Sequence, residues 1–342
     1  MSGDLERRYR RVLRLLPGYY RRQWEEDMVA AFLDSALTGD PDEDEFSTEY
    51  GRPDWPEIAS VGCLAARLYL GGAGTPRRYF VWGQAVRGTV LAVTLAHAVW
   101  GLGQFVLLGA SRYQIGWLLP QPAAAGTWRT VSYLMGYTWV VAFLALALGY
   151  YRVARVIAAL VIAAELAVVL RGQLTGALPP FASWPYWILL DLAPVLAMAA
   201  FHRDAPPPAR RPWLVALPAS YLLVSVPLLA AEMTGLSAWV PDTPGLCCIL
   251  AGLLCLVHVP RARSSRAGTG VWSLTLVLLA AVAALYKITW LAVYLQGPRS
   301  SSHLIAVGLA ELLILAVAAT LVAPDAARAQ AAMPAPPRPQ LG

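Results

Sequence analysis

Apolar and polar positions follow three different rhythms along this chain. From residue 4 to about residue 70 the apolar residues recur every three or four positions, which predicts amphipathic helices. Residues 4–16 put Leu5, Tyr9, Val12, Leu13 and Leu16 on one face and arginines on the other. Pro17-Gly18 breaks that pattern, and a second helix follows. Its apolar face is Tyr20, Trp24, Met28, Ala31 and Phe32, with Arg21, Arg22, Glu25 and Glu26 outside. Residues 37–53 are acidic and turn-rich and predict a mobile loop. Asp54 stands where an N-cap belongs, Glu57 three residues on completes a capping box, and Ile58, Val61, Leu64 and Leu68 form the stripe of a third helix. None of the three is long enough to be stable alone, so they are expected to share one small core.

Beyond Arg77-Arg78 the amphipathic rhythm gives way to long apolar runs. They fall at about 86–109, 131–149, 153–170, 184–201, 213–231, 245–259, 271–295 and 303–323. Most approach the ~20 residues of a helical bilayer crossing. The expected architecture is all-α: a polytopic membrane protein of about eight transmembrane helices over residues 81–323, preceded by a small cytoplasmic three-helix module in residues 1–80. An Ala/Pro-rich tail, 324–342, is expected to be disordered.

Charge fixes the expected orientation. Arginines crowd the segment before the first run (Arg77, Arg78, Arg87) and the loops after the second, fourth and sixth (Arg152 and Arg155; Arg203, Arg210 and Arg211; Arg261, Arg263 and Arg266). The intervening loops carry Arg112, Arg171, none and Arg299. By the positive-inside rule both termini are cytoplasmic. Tryptophans 82, 117, 128, 184, 187, 213, 239 and 272 fall near the expected span ends, where an amphipathic indole sits best.

Composition agrees. Of 342 residues 58% are hydrophobic and 14% charged, with a mean hydropathy of +0.52, well away from a soluble domain. The net charge of +6 is uneven: residues 1–80 hold 11 arginines against 14 acids, a net of −3, so the excess lies among the spans. That makes the basic pI a topology signal, and no nucleic-acid partner is expected. The bilayer is the expected partner. The preference for arginine over lysine, with much Ala, Pro and Gly, points to a GC-rich bacterial genome and hence a bacterial inner membrane. No secretory signal peptide is expected, because the chain opens with a charged amphipathic segment.

The run Arg-Tyr-Arg-Arg-Val-Leu-Arg-Leu-Leu-Pro-Gly-Tyr-Tyr-Arg-Arg-Gln-Trp-Glu-Glu-Asp-Met-Val-Ala-Ala-Phe-Leu, beginning at Arg8, resembles the N-terminal module of many uncharacterised actinobacterial multi-pass membrane proteins. It is similar to the permease-prefix and HAAS-type helical domains. The resemblance covers about residues 5–70 and implies a module that precedes several spans and works beside a cytosolic regulator or a permease subunit. The long acidic loop departs from the shorter linker of that pattern. On this basis Arg10, Arg14, Arg21, Trp24 and Glu25 are the partner-binding candidates.

Ionisable groups at membrane depth are costly and mark sites. They are His97, Glu165, Asp191, Glu311 and Lys287, the one lysine of the chain. Lys287 lies 12 residues before Arg299 and Glu311 lies 12 after it, so they should stand at one depth on neighbouring helices. Either they form an ion pair that locks two helices, or with Glu165 and Asp191 they form a site for an ion, a proton or a small polar ligand. His97 reads as a helix-packing histidine. With its one lysine inside a span the chain has no Walker A loop, and it has neither a His-Glu-x-x-His helix nor a Gly-x-Ser-x-Gly elbow. No catalytic residue, cofactor or metal is expected. Cys63, Cys247, Cys248 and Cys255 lack metal-ligand spacing. A regulatory, sensory or transporter-accessory subunit is the leading expectation; a small-solute or proton-coupled transporter is the alternative.

Overall fold

Residues 4–36, 51–72, 75–112, 126–174, 184–202, 205–234, 243–264, 269–295 and 302–331 are described by a computed structural model. Among them every regular element is helical. The chain divides into two units, one of residues 1–83 with 202–205, the other of residues 84–201 with 206–342.

The first unit is built by three amphipathic helices, α1 (Asp4–Leu13), α2 (Gly18–Ala36) and α3 (Trp55–Tyr69). Their apolar stripes close on one core of Tyr9, Leu13, Leu16, Val29, Val61, Ala65 and Leu68. Helix α1 stops at Leu13 rather than running to residue 16, because the chain tightens into a turn in which the Leu16 amide donates to the Leu13 carbonyl at 2.9 Å. The turn still buries Leu16. Of the expected α2 face, Tyr20, Met28 and Phe32 pack on the core. Val29 is buried and Leu33 packs on the core, while Trp24 is 43% exposed and Ala31 faces outward. The Tyr9 ring stacks on Phe32 at 4.0 Å. The capping box is also not formed: Asp54 makes no side-chain cap bond, and Glu57 instead accepts a hydrogen bond from the Tyr9 hydroxyl at 2.8 Å. Most of the expected acidic loop, residues 37–50, lies outside the described residues.

The second unit holds the apolar helices. They are α4 (Arg77–Arg112, which begins in the first unit), α5 (Gly126–Leu148), α6 (Tyr151–Leu174), α7 (Trp184–Ala197), α8 (Arg210–Thr234), α9 (Thr243–Ser264), α10 (Thr269–Leu295) and α11 (Ser302–Ala331). Among the described residues four stretches are long and apolar enough to cross a membrane: Arg77–Gly103, Pro244–Arg261, Gly270–Ala292 and Ser302–Arg328. Gly136–Leu148 and Leu190–Ala200 are shorter apolar stretches. Helix α11 continues past residue 324, where a disordered tail was expected. Pro324 sits inside it, Ala326 is buried, and Arg328 Nε donates to the Pro324 carbonyl at 3.3 Å. Residues 332–342 lie outside the described residues.

Among the described residues, separate cores organise this unit. Helices α9, α10 and α11 pack mutually around Leu315 and the small residues Cys248, Ala251, Ala280 and Ala283, which let the backbones approach. Helices α4, α5 and α6 share a core of Val90, Leu91, Ala98, Trp139, Phe143, Leu146, Ala158 and Val161. A tight turn at Gly149 (φ +94°) folds α6 back on α5, and α7 links α6 to α10. The 3₁₀ turn Met198–Ala200 ends α7. Two arginines from other helices hold it: Arg87 Nη1 donates to the Ala200 carbonyl at 2.9 Å, and Arg155 donates to that of Phe201.

Candidate functional site: two polar clusters on helix α10

Neighbouring residues on an α-helix point about 100° apart. Tyr286 and Lys287 of α10 therefore face different neighbours, and each anchors a polar cluster.

Lys287 Nζ lies 2.6 Å from Glu311 Oε2, with side chains 2% and 5% exposed. Its ammonium also sits 4.6 Å from the Trp290 ring centroid, one turn along α10. Two glycines make room for the pair. A Cβ on Gly308 would meet Leu291 Cδ2 at 2.8 Å and Lys287 Cε at 3.1 Å, and Gly245 on α9 lies against the Glu311 carboxylate. A charge pair this enclosed loses its hydration on both sides, so its attraction mainly repays desolvation. The arrangement joins α9, α10 and α11 and leaves little space for a ligand.

On the other side of α10 the Tyr286 hydroxyl donates to Asp191 Oδ1 of α7. His97 Nε2 of α4 is 3.1 Å from the same hydroxyl and 3.5 Å from Asp191 Oδ1. The imidazole stacks on Trp139 of α5, with centroids 4.6 Å apart and planes 19° from parallel. Close backbone contact fixes that crossing: a Cβ on Gly101 would stand 2.1 Å from the Gly136 carbonyl oxygen. Glu165 of α6 lies within electrostatic range of Asp191 and Tyr286, as Cys247 of α9 does of Tyr286. His97 is thus part of a cluster from several helices rather than a packing residue by itself. Glu165 and Asp191 share a neighbourhood, yet Asp191 is held by Tyr286 and His97. The sequence reading passed over Tyr286 and Trp139, both uncharged. The signal available for Tyr286 was its place next to the one lysine.

In the first unit the partner-binding candidates separate by what they touch. Arg10 is used within the unit: it bonds Glu6 at 2.9 Å and takes both oxygens of Glu26 at 2.8 Å, with Glu25 at 3.6 Å. The Arg10 guanidinium holds the Glu26 carboxyl below its ordinary range. Arg21 lies 3.8 Å from Glu25. Arg14 and Trp24 are exposed. Burial, reinforced by the bond to Glu57, raises the Tyr9 hydroxyl above the usual phenol value. A cavity of about 240 Å³ opens beside Tyr9, lined also by Met28, Ala31, Phe32, Ser35 and Glu57.

Comparison with family models, with curated proteins and with solved structures finds no match.

Proposed function

We propose that this chain is an integral membrane protein of a bacterial inner membrane whose helices α4 to α11 form eight spans, with both termini cytoplasmic. In this reading it serves as a regulatory, sensory or transporter-accessory subunit that acts through α1–α3. The observation that carries it is a separately cored N-terminal unit that leaves Arg14 and Trp24 on its surface. The resemblance of residues 5–70 to permease-prefix modules supports a cytosolic regulator or a permease subunit as the partner. The test is co-purification from native membranes. A defined partner should accompany the full chain, should be lost from a chain lacking residues 1–70, and should be weakened by Trp24→Ala. A partner retained without residues 1–70, or none with either chain, rejects the reading.

The second reading is a small-solute or proton-coupled transporter, favoured by the convergence of His97, Glu165 and Asp191 with Tyr286. Transport that persists without residues 1–70 and disappears in Asp191→Asn would favour it over the first.

A further inference from the structure

The two clusters on α10 differ in one respect that decides what each can do. Lys287 and Glu311 balance each other and are sealed at 2% and 5% exposure. The second cluster is less tightly enclosed and is built from a different set of groups. It sets one carboxylate, Asp191, against an imidazole and a phenol, with a second carboxylate, Glu165, in electrostatic range. His97 and Asp191 remain 17% and 16% exposed. Among apolar helices a carboxylate is costly, and a counter-charge is worth more there than in water.

The hydrogen-bond directions show where that counter-charge goes. The Tyr286 hydroxyl has one proton and donates it to Asp191 Oδ1. Toward His97 Nε2, 3.1 Å away, the same oxygen can then accept, which fits the neutral tautomer that carries its proton on Nε2. Nδ1 is left as the basic position. A proton added there makes an imidazolium whose Nε2–H already lies 3.5 Å from Asp191 Oδ1 and whose face lies on the electron-rich Trp139 ring. No bond breaks, and the His97–Asp191 pair passes from one negative charge to none. The other titratable groups facing the site are Glu165 from α6, Cys247 from α9 and Tyr286 itself; Lys287 is turned to Glu311.

We propose that His97, Asp191 and Tyr286, with Glu165 beside them, form a proton-binding site between α4, α6, α7 and α10. The site goes beyond the accessory reading and requires neither partner docking nor transport.

Trp139 is a built-in reporter, because an imidazolium stacked on an indole quenches its emission. The full-length protein in detergent is titrated between about pH 8 and pH 5, the range in which imidazole changes charge. Subtracting the emission of Trp139→Phe isolates this residue. The expected result is a fall in Trp139 emission on acidification, lost in His97→Gln and reduced in Asp191→Asn. Size-exclusion profiles check folding, and where His97→Gln fails to fold, Asp191→Asn and Tyr286→Phe carry the comparison. A flat titration, or one unchanged in these variants, overturns the proposal. So does a response at constant pH to replacing choline chloride by sodium chloride, which would make the site one for a metal cation.

Discussion

A Cβ on Gly245 would stand 2.4 Å from Oε1 and 2.6 Å from Oε2 of Glu311, so the backbone of α9 presses on the carboxylate that holds Lys287. Within a helix, glycine to alanine ordinarily stabilises by roughly 0.5–1 kcal/mol. Here overpacking should win, at about 1–3 kcal/mol. Gly245→Ala is expected to lower the Tm of the detergent-solubilised protein, and a raised Tm would show that the carboxylate moves aside freely.

Removing one partner of the enclosed pair should hurt more than removing both. Lys287→Met leaves Glu311 buried without its counter-charge, an expected loss of about 3–5 kcal/mol. Lys287→Met combined with Glu311→Leu should recover most of it. Thermal unfolding of the two single variants and the double variant measures the coupling, and additive losses would mean that the pair contributes nothing jointly.

Tyr9→Phe keeps the stack on Phe32 and removes the hydroxyl that donates to Glu57. The net cost of a hydrogen bond to a charged acceptor is about 1.5–3 kcal/mol, at the low end for a partly exposed one. The expected readout is faster proteolysis between residues 4 and 70, with α4–α11 unaffected.

Alkaline pH should loosen the same unit. Burial pushes the Tyr19 hydroxyl from 10.0 up to about 12, so the folded form holds this proton more tightly than the unfolded form. The associated stability is fully present below about pH 10 and is lost as pH rises through about 12. Tyr9 shifts in the same direction. Tyrosinate absorbance followed alongside proteolysis should show release of the unit in that window, and Tyr19→Phe should reduce the pH dependence.

What could be read from the chain follows the range of the interactions involved. Equal spacing on either side of Arg299 put Lys287 and Glu311 at one depth, and their side chains meet at 2.6 Å. That inference needed only two neighbouring helices. The room Gly245 makes for the carboxylate comes from a third helix, and no periodicity encodes it. Tyr286 escaped because a neutral hydroxyl costs less at membrane depth than a charge, so it stands out less in a sequence. Of the expected α2 stripe, Tyr20, Met28 and Phe32 pack on the core, but Val29 and Leu33 join them in place of Trp24 and Ala31, since periodicity alone does not choose between neighbouring apolar positions. Arg87 and Arg155 read as orientation signals, yet they also donate to the carbonyls that end α7.

The enclosed pair also bears on biogenesis. Helix α10 carries its ammonium about two-thirds of the way along, and the carboxylate that neutralises it arrives on α11, after residues 296–301. Entering a bilayer by itself, α10 would have to expose that charge to hydrocarbon. Entering together as a hairpin, the two helices present a neutral dipole. On the proposed membrane reading, partition of the last two helices is therefore expected to be concerted, and a chain truncated before Glu311 should insert α10 less efficiently.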